Sequence, residues 1–316
     1  MIEILSTGAL NSVQDLGRKG YLNIGVGQSG AMDRLALSTA NIMVGNPTDF
    51  AGLELVLFPA RLKFITDSRF ALTGADSLAH LDGLELPPNW ACDGKAGQTL
   101  VIQAPRRGAR VYVAFAGGID VPVLMGSRAT DLKSGFGGFE GRGLIRGDQL
   151  ALNLSRTKST GSCGLASVRE LPSLTSETVI RVLPAAQYGD FKDEARERFF
   201  SECWQVTQET NRMGMRLSGA QLLLRSPLEL LSHGILPGTV QVPPSGQPII
   251  QMAEANTCGG YPKIANVIDA DLSLLAQAPV GSKLRFLEID LTEAIEAQKQ
   301  QDLELNTLER TLGLTL

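Results

Sequence analysis

The segment from Gly234 to Asp271 gathers residue types from which a binding or catalytic site could be built. Glu254 and Lys263 bring charges of both signs, Thr257 brings a hydroxyl, and two consecutive glycines lie between them. Such glycines can adopt backbone conformations closed to other residues, and they let a ligand or a second backbone approach closely. A purely structural loop rarely needs this combination, so the segment predicts a substrate site. The residues that we expect to form it are Gln241, Glu254, Thr257, Gly259, Gly260, Tyr261 and Lys263.

Two arginines four residues apart form a second candidate group. Arg212 follows Asn211, and Arg216 lies beyond the intervening Gly214. A guanidinium group binds a carboxylate or a phosphate through two parallel hydrogen bonds, so the two arginines and Asn211 could hold an anionic substrate. A pair of surface salt bridges is the alternative interpretation of the same pattern.

Two polar blocks near the N-terminus could also contribute to a site. Arg18 ends the polar turn 12–18, and Asp33 precedes a predicted helix over 33–44 that stops at the Gly-Asn-Pro sequence 45–47. The N-terminus of a helix favours anions, because its first backbone N–H groups have no partner within the helix. We therefore include Arg18 and Asp33 among the candidate substrate-binding residues.

Several familiar motifs are present only in part. Residues 25–30 fit G-x-G-x-x-G, but the chain lacks the alternating strands and helices of a dinucleotide-binding fold, and a tight turn explains these glycines. Ser155–Lys158 matches S-x-x-K without a K-T-G companion, and no P-loop sequence is present. Neither His80 nor His233 adjoins a G-x-S-x-G elbow, so a Ser-His-Asp triad is not supported. His233 is the better functional candidate of the two, because it immediately precedes the candidate segment.

Composition excludes several classes of function. The four cysteines are widely spaced and only two histidines accompany them, so we expect neither a metal site nor disulfides. A net charge of −4 provides no basic surface for nucleic acid or an anionic membrane. The chain begins with an alternating strand instead of a signal peptide, and no run approaches the ~20 apolar residues of a membrane span. These features predict a cytoplasmic protein that acts on a small molecule.

Short strands punctuated by glycine dominate the chain, which predicts a mainly β protein with a few helices. A stretch rich in Ser, Thr and Gly over residues 153–177 is typical of a linker. The expected division is therefore an N-terminal β-barrel lobe over 1–152, a C-terminal β-barrel lobe over 178–290 and a helical segment over 291–316.

A helix is also predicted within residues 190–204. Phe191, Ala195 and Phe199 recur there at the helical spacing of four, so they would form one apolar stripe.

The order of several sequence blocks resembles a known family. The resemblance is carried by residues 12–18, 30–33, 40–46, 71–76, 116–122, 125–132, 211–214 and 259–262. In this collinear order, over residues 1 to about 290, they look like the C subunit of bacterial 5-oxoprolinase. That branch belongs to the biotin-dependent carboxyltransferase-like proteins, with the second subunit of allophanate hydrolase and the matching half of the urea carboxylase carboxyltransferase domain.

The resemblance implies two cyclophilin-like β-barrel lobes and a protein that works in a complex with partner subunits A and B. The implied reaction opens 5-oxo-L-proline to L-glutamate with ATP hydrolysis. The B and C subunits would activate the unstrained lactam by phosphorylation, and the A subunit would complete the hydrolysis. ATP is then shared with the complex, and no biotin site is expected on this chain, which has no Met-Lys-Met acceptor.

Within that reaction, Arg212, Glu254 and Thr257 would be the catalytic residues. Arg212 and Arg216 would neutralise a phosphate or carboxylate, and Glu254 would orient the substrate or act as a base. Thr257 and the glycine pair 259–260 would offer donors to an oxyanion.

The chain departs from the family pattern beside the glycine pair. Relatives usually read Asp-x-Gln-Thr-Thr-Gly-Gly-Tyr-Pro there, whereas residues 254–262 read Glu-Ala-Asn-Thr-Cys-Gly-Gly-Tyr-Pro. Cys258 therefore replaces a hydroxyl by a thiol, which would shift specificity if that group touches substrate. Two alternatives stay open: a carboxyltransferase half of a biotin-dependent carboxylase of urea or a related amide, and a non-catalytic antagonist of a kinase inhibitor.

Overall fold

A computed structural model describes residues 1–154, 161–166 and 170–312 of the chain. Strands outnumber helices in these residues, which confirms the predicted mainly β class. The chain divides into two compact units. Unit 1 comprises Met1–Lys19, Ser29–Leu171 and Glu304–Leu316, and unit 2 comprises Gly20–Gln28 and Pro172–Leu303.

Unit 1 is built on a ten-stranded sheet. Its strands are β1 (Ile2–Ser6), β2 (Ser12–Gln14), β3 (Gly52–Leu55), β4 (Ala60–Phe64), β5 (Ser68–Leu81), β6 (Leu84–Leu86), β7 (Trp90–Gly94), β8 (Thr99–Phe115), β9 (Gln149–Leu150) and β10 (Cys163–Gly164). The order along the sheet is β10-β7-β5-β8-β4-β1-β9, with β6 beside β5 and the β2–β3 pair beside β8. The long antiparallel strands β5 and β8 place Phe70 opposite Phe115, and both side chains are fully buried in the core.

The predicted helix after Asp33 forms as α1 (Arg34–Met43). Asp33 caps it, since its side chain accepts a hydrogen bond from Ala36 N at 2.9 Å. Leu37, Ala40 and Met43 are buried at helical spacing, so burial of this stripe fixes α1 within unit 1.

Unit 2 contains a closed seven-stranded barrel in the order β11-β18-β15-β16-β13-β12-β19. The strands of the unit are β11 (Glu177–Pro184), β12 (Trp204–Val206), β13 (Gly214–Ser218), β14 (His233–Gly234), β15 (Thr239–Gln241), β16 (Ile249–Gln251), β17 (Cys258–Gly259), β18 (Lys263–Val267) and β19 (Lys283–Glu288). Two of them lie outside the barrel: β14 and β17 form a separate two-stranded sheet.

The predicted helix within 190–204 forms as α2 (Asp193–Ser201) and covers the barrel core. Phe199 stacks on Phe286 of β19 with ring centroids 4.4 Å apart, and its carbonyl accepts a hydrogen bond from Trp204 Nε1 at 3.0 Å. Aromatic side chains bury a large apolar area, so this cluster anchors the helix to the barrel. The remaining helices are α3 (Leu272–Gln277) and α4 (Leu291–Thr311), with short 3₁₀ turns at Leu22–Ile24, Tyr188–Asp190 and Asp269–Asp271.

Part of the predicted linker over 153–177 cannot be compared with the structure. Residues 155–160, which include the S-x-x-K match, and residues 167–169 lie outside the described residues. Between them, β10 pairs with β7 of unit 1. In the described part of the chain, no helix is long and apolar enough to cross a membrane.

Candidate functional site

A buried ion pair joins the two candidate segments of unit 2. Arg212 Nε donates to Glu254 Oε1 at 2.6 Å, and the side chains are only 10% and 3% exposed. The backbone repeats this link, because Glu254 N donates to Arg212 O at 2.8 Å. Arg212 lies just before β13 and Glu254 just after β16, and these strands pair with Gly214 opposite Gln251. Pairing of two neighbouring barrel strands therefore joins residues that are distant in sequence.

The second arginine of the group has a different partner. Arg216 Nε lies 3.6 Å from Glu209 Oε2, and both side chains are well exposed. Arg216 also lines an open cavity of about 260 Å³. The polar residues that share this lining are Thr207, Glu209, Ser218, Ser245 and Gln247. Arg212 and Arg216 are thus held by different carboxylates.

Asn211 shapes the turn that leads from Arg212 into β13. Its Oδ1 accepts hydrogen bonds from Met213 N at 2.8 Å and from Gly214 N at 3.2 Å. An asparagine that satisfies nearby backbone donors stabilises a tight turn. Asn211 therefore fixes the approach of Arg212 to its carboxylate.

Two buried glutamines form a short chain of amides between β15 and β16. Gln251 Nε2 donates to Gln241 Oε1 at 3.0 Å. Within the described residues, the Gln241 Nε2 donor has no hydrogen-bond partner. It faces Gly259, where an added Cβ would lie only 2.8 Å from it. Buried donors without acceptors are rare, so this nitrogen marks a position that an external acceptor could occupy.

A lysine and a histidine meet beside that amide. Lys263 Nζ contacts His233 Nε2. His233 Nδ1 lies 2.8 Å from Leu231 O, which can only accept, so Nδ1 carries the ring proton and Nε2 presents its lone pair to the ammonium. Lys263 is 7% exposed, and burial lowers the pKa of its ammonium below the ordinary value. No carboxylate of the described residues forms an ion pair with it.

Strand pairing explains why these groups lie together. Gln241 of β15 is opposite Lys263 of β18, and His233 of β14 is opposite Gly259 of β17. Residues directly opposite each other on antiparallel strands project to the same face. We call Gln241, Lys263, His233 and Gly259 the Lys263 cluster.

The glycine pair allows close approach of neighbouring groups, a side chain at Gly259 and a second backbone at Gly260. Neither Gly259 nor Gly260 has a φ in the left-handed region, so the special-conformation part of the expectation is wrong. A Cβ at Gly260 would instead lie 2.8 Å from Leu230 O. The segment before β14 therefore passes directly over Gly260.

Gly260→Ala is expected to destabilise unit 2 by ~1–3 kcal/mol, because the added methyl group overpacks against a carbonyl. The matched control is Gly234→Ala in the neighbouring strand β14, where an added Cβ meets nothing within 4 Å. Urea unfolding midpoints of the two variants provide the comparison. Equal midpoints for Gly260→Ala and Gly234→Ala would show that the backbone contact carries no cost.

The other predicted residues of this segment lie on the same turn. Thr257 is half-buried, and its carbonyl accepts a hydrogen bond from Ile235 N at 3.2 Å. Tyr261 is 48% exposed, and Cys258 is exposed. The thiol that departs from the family pattern thus faces solvent.

Arg18 and Asp33 have structural contacts within unit 1. Arg18 is 1% exposed, its guanidinium lies 4.4 Å from the centre of the Phe136 ring, and it donates to Ala129 O. Asp33 caps α1, and its backbone N donates to the hydroxyl of Tyr112 at 2.8 Å. The anion-binding role predicted for these two residues stays a prediction.

Sequence reasoning missed Gln251 and did not include His233 among the site residues. Gln251 is a polar residue in an otherwise apolar strand and is 8% exposed, which is a signal that the sequence does contain. His233 could be placed only through its pairing with Gly259. In the described residues, no group of three or more His, Cys, Asp or Glu side chains could hold a metal ion.

Comparison with known proteins identifies relatives over almost the whole chain. The family model "carboxyltransferase domain, subdomain A and B" matches residues 24–288. The C subunit of the 5-oxoprolinase of Escherichia coli K12 is 44% identical over 301 residues, which cover 95% of this chain and 95% of that protein. The C subunit of the Haemophilus influenzae 5-oxoprolinase is 40% identical over 310 residues, which cover 98% of both chains.

A solved structure has the same fold. The crystal structure of the urea amidolyase of K. lactis superposes with a TM-score of 0.88 at 30% identity over 97% of this chain. The match spans 20% of that much longer protein. The resemblance inferred from the sequence blocks is therefore confirmed.

Proposed function

We propose that this chain, which belongs to the carboxyltransferase-domain family (subdomains A and B of that domain), is the C subunit of an ATP-dependent 5-oxoprolinase. The observation that carries the proposal is the 44% identity with the C subunit of a 5-oxoprolinase over 95% of both chains. In the proposed reaction a complex of this chain with subunits A and B opens 5-oxo-L-proline to L-glutamate, and ATP hydrolysis supplies the driving force.

The buried ion pair supports a catalytic role for Glu254. A catalytic carboxylate must be held in one orientation, and Arg212 and the neighbouring backbone hold Glu254 from two sides. Glu254 would orient the lactam or accept a proton from it. Arg212 would act on the substrate chiefly through Glu254, since its guanidinium is committed to that carboxylate at 2.6 Å.

The turn that follows would stabilise negative charge on the lactam oxygen. The Thr257 hydroxyl and the backbone N–H group of Gly260 would donate to this oxygen as the lactam is activated. Gly259 lies opposite His233 in the two-stranded sheet, so its N–H group takes part in that strand pairing. Arg216 would interact with an anionic group at the open cavity that it lines. Tyr261 is exposed beside the turn and would cover the bound ring.

Reconstitution of the complex tests the proposal. The chain is purified with candidate A and B subunits, and 5-oxoproline-dependent ATP hydrolysis and glutamate formation are measured with and without it. We expect no glutamate without this chain, and a loss of ~100-fold or more for Glu254→Gln. Glu202→Gln is the matched control, because Glu202 is an exposed partner of Arg198 at 3.8 Å. Full activity in the absence of the chain would contradict the proposal.

A second candidate is a carboxyltransferase half that acts on urea, and the urea amidolyase fold match supports it. In that case biotin would arrive on a partner. The same reconstituted complex is assayed with urea in place of 5-oxoproline. Turnover of urea with none of 5-oxoproline would favour this second function.

A further inference from the structure

We propose that the Lys263 cluster is a carboxylate-binding subsite that holds the carboxylate of the substrate away from the reacting lactam. The inference rests on the proposed function for the identity of the substrate. The carboxylate of 5-oxo-L-proline would enter the cluster, and His233 would have a positioning role.

The first observation is a buried cation that lacks an anionic partner. Lys263 is 7% exposed, and the hydrogen-bond partner of its ammonium among the described residues is Nε2 of His233. A buried charge is costly unless it is paired, and burial accordingly lowers the pKa of this lysine. A ligand that brings a negative charge would satisfy it.

The second observation is a buried donor that faces the same place. Gln241 is 4% exposed, and its Oε1 accepts a hydrogen bond from Gln251 Nε2 at 3.0 Å. Its Nε2 has no partner among the described residues and faces Gly259. The missing side chain at Gly259 leaves this nitrogen accessible from the turn. Because Gln241 is opposite Lys263, an amide N–H and an ammonium N–H are presented side by side.

Two adjacent donors suit the two oxygens of one carboxylate. One oxygen would accept from Lys263 Nζ and the other from Gln241 Nε2. The cluster offers one cation and one neutral amide, which balances the single charge of a carboxylate better than the two charges of a phosphate group. Urea is neutral and has no group of this kind, whereas 5-oxoproline is an anion.

His233 would position the ammonium. Its Nε2 accepts from Lys263, and its other nitrogen is fixed by Leu231 O at 2.8 Å. With one N–H committed to His233, the ammonium has its other two N–H groups to direct at the ligand.

Calorimetric titration of the assembled complex tests the subsite. The probes are 5-oxo-L-proline, neutral 2-pyrrolidone, cyclopentanecarboxylate and inorganic phosphate. We expect 5-oxo-L-proline to bind about 10- to 100-fold more tightly than 2-pyrrolidone. Lys263→Met should bring the two affinities to within a factor of about 3, while Lys283→Met on an exposed position of β19 should leave the preference unchanged.

A second variant covers the case in which Lys263→Met does not fold. Gln241→Glu keeps the acceptor for Gln251 and adds a carboxylate beside Lys263, so it should exclude the ligand carboxylate without creating a cavity. We expect the same loss of preference for 5-oxo-L-proline over 2-pyrrolidone.

The outcomes separate this inference from the proposed function. If 5-oxo-L-proline keeps its preference over 2-pyrrolidone in both variants, the subsite is wrong although the function stands. If 5-oxo-L-proline does not bind but cyclopentanecarboxylate binds in a Lys263-dependent manner, the subsite stands and the function is wrong. Binding of inorganic phosphate more tightly than either carboxylate, or of neither carboxylate, overturns the subsite.

Discussion

Replacement of Arg212 by alanine is expected to lower the free energy of unfolding by about 3–5 kcal/mol. The variant leaves Glu254, whose side chain is 3% exposed, without the guanidinium that donates to it at 2.6 Å. A buried carboxylate that loses its charged partner is costly, because water cannot reach it to compensate. Chemical denaturation of the isolated chain measures the loss. Arg216→Ala provides the matched control, since its exposed pair with Glu209 at 3.6 Å should contribute no more than about 1 kcal/mol.

The double variant Arg212→Met with Glu254→Leu separates stability from function. Apolar side chains of similar volume commonly replace a buried ion pair without loss of stability. We therefore expect the double variant to recover most of the stability that Arg212→Ala loses and to have no 5-oxoprolinase activity in the complex. An Arg212→Ala variant as stable as Arg216→Ala would show that the pair is hydrated in solution.

Lys263→Met is expected to make the chain more stable at neutral pH while it weakens the binding of 5-oxo-L-proline by the complex. The substitution removes a buried ammonium that has no carboxylate partner among the described residues and keeps a side chain of similar length. Each kcal/mol gained would raise the melting temperature by about 2–4 °C. Thermal unfolding of the wild type and of Lys263→Met, with Lys283→Met as the exposed control, measures the change. A lower melting temperature for Lys263→Met alone would show that its contact with His233 outweighs the cost of burial.

The stability that Lys263→Met gains over the wild type should decrease as the pH rises. Burial lowers the pKa of Lys263 in the folded chain below the 10.5 of a free lysine, so the unfolded chain binds more protons between these two values. Wild-type stability therefore increases with pH across that window through this group. The advantage of Lys263→Met should be largest below the folded pKa and should vanish as the pH approaches 10.5.

Local sequence signals predicted the elements, whereas the partners of the charged residues required the fold. Asp33 and the stripe of Leu37, Ala40 and Met43 specify α1 without any distant contact. The sequence around Arg212 predicts a group that binds a substrate anion, because nothing near it in sequence reveals its carboxylate partner 42 residues away.

The role of the glycine pair, too, could be predicted from the sequence only in part. Its position in the site segment was predicted, yet the reason for Gly260 is Leu230 O, which reaches it only through the pairing of β14 with β17. The orphaned amide of Gln241 likewise depends on β15, β16 and β18 lying side by side in the barrel. Residue types alone indicate where a site could lie, and strand register determines which atoms meet there.

The two neighbouring glycines differ in how an evolving sequence could replace them. The obstacle at Gly259 is the side chain of Gln241, so a smaller residue at 241 could act as a second-site suppressor. The obstacle at Gly260 is the carbonyl oxygen of Leu230, and every amino acid at position 230 carries the same oxygen. Gly259 can therefore be replaced if position 241 is substituted at the same time. A larger residue at position 260 would instead require the main chain at Leu230 to follow a different path.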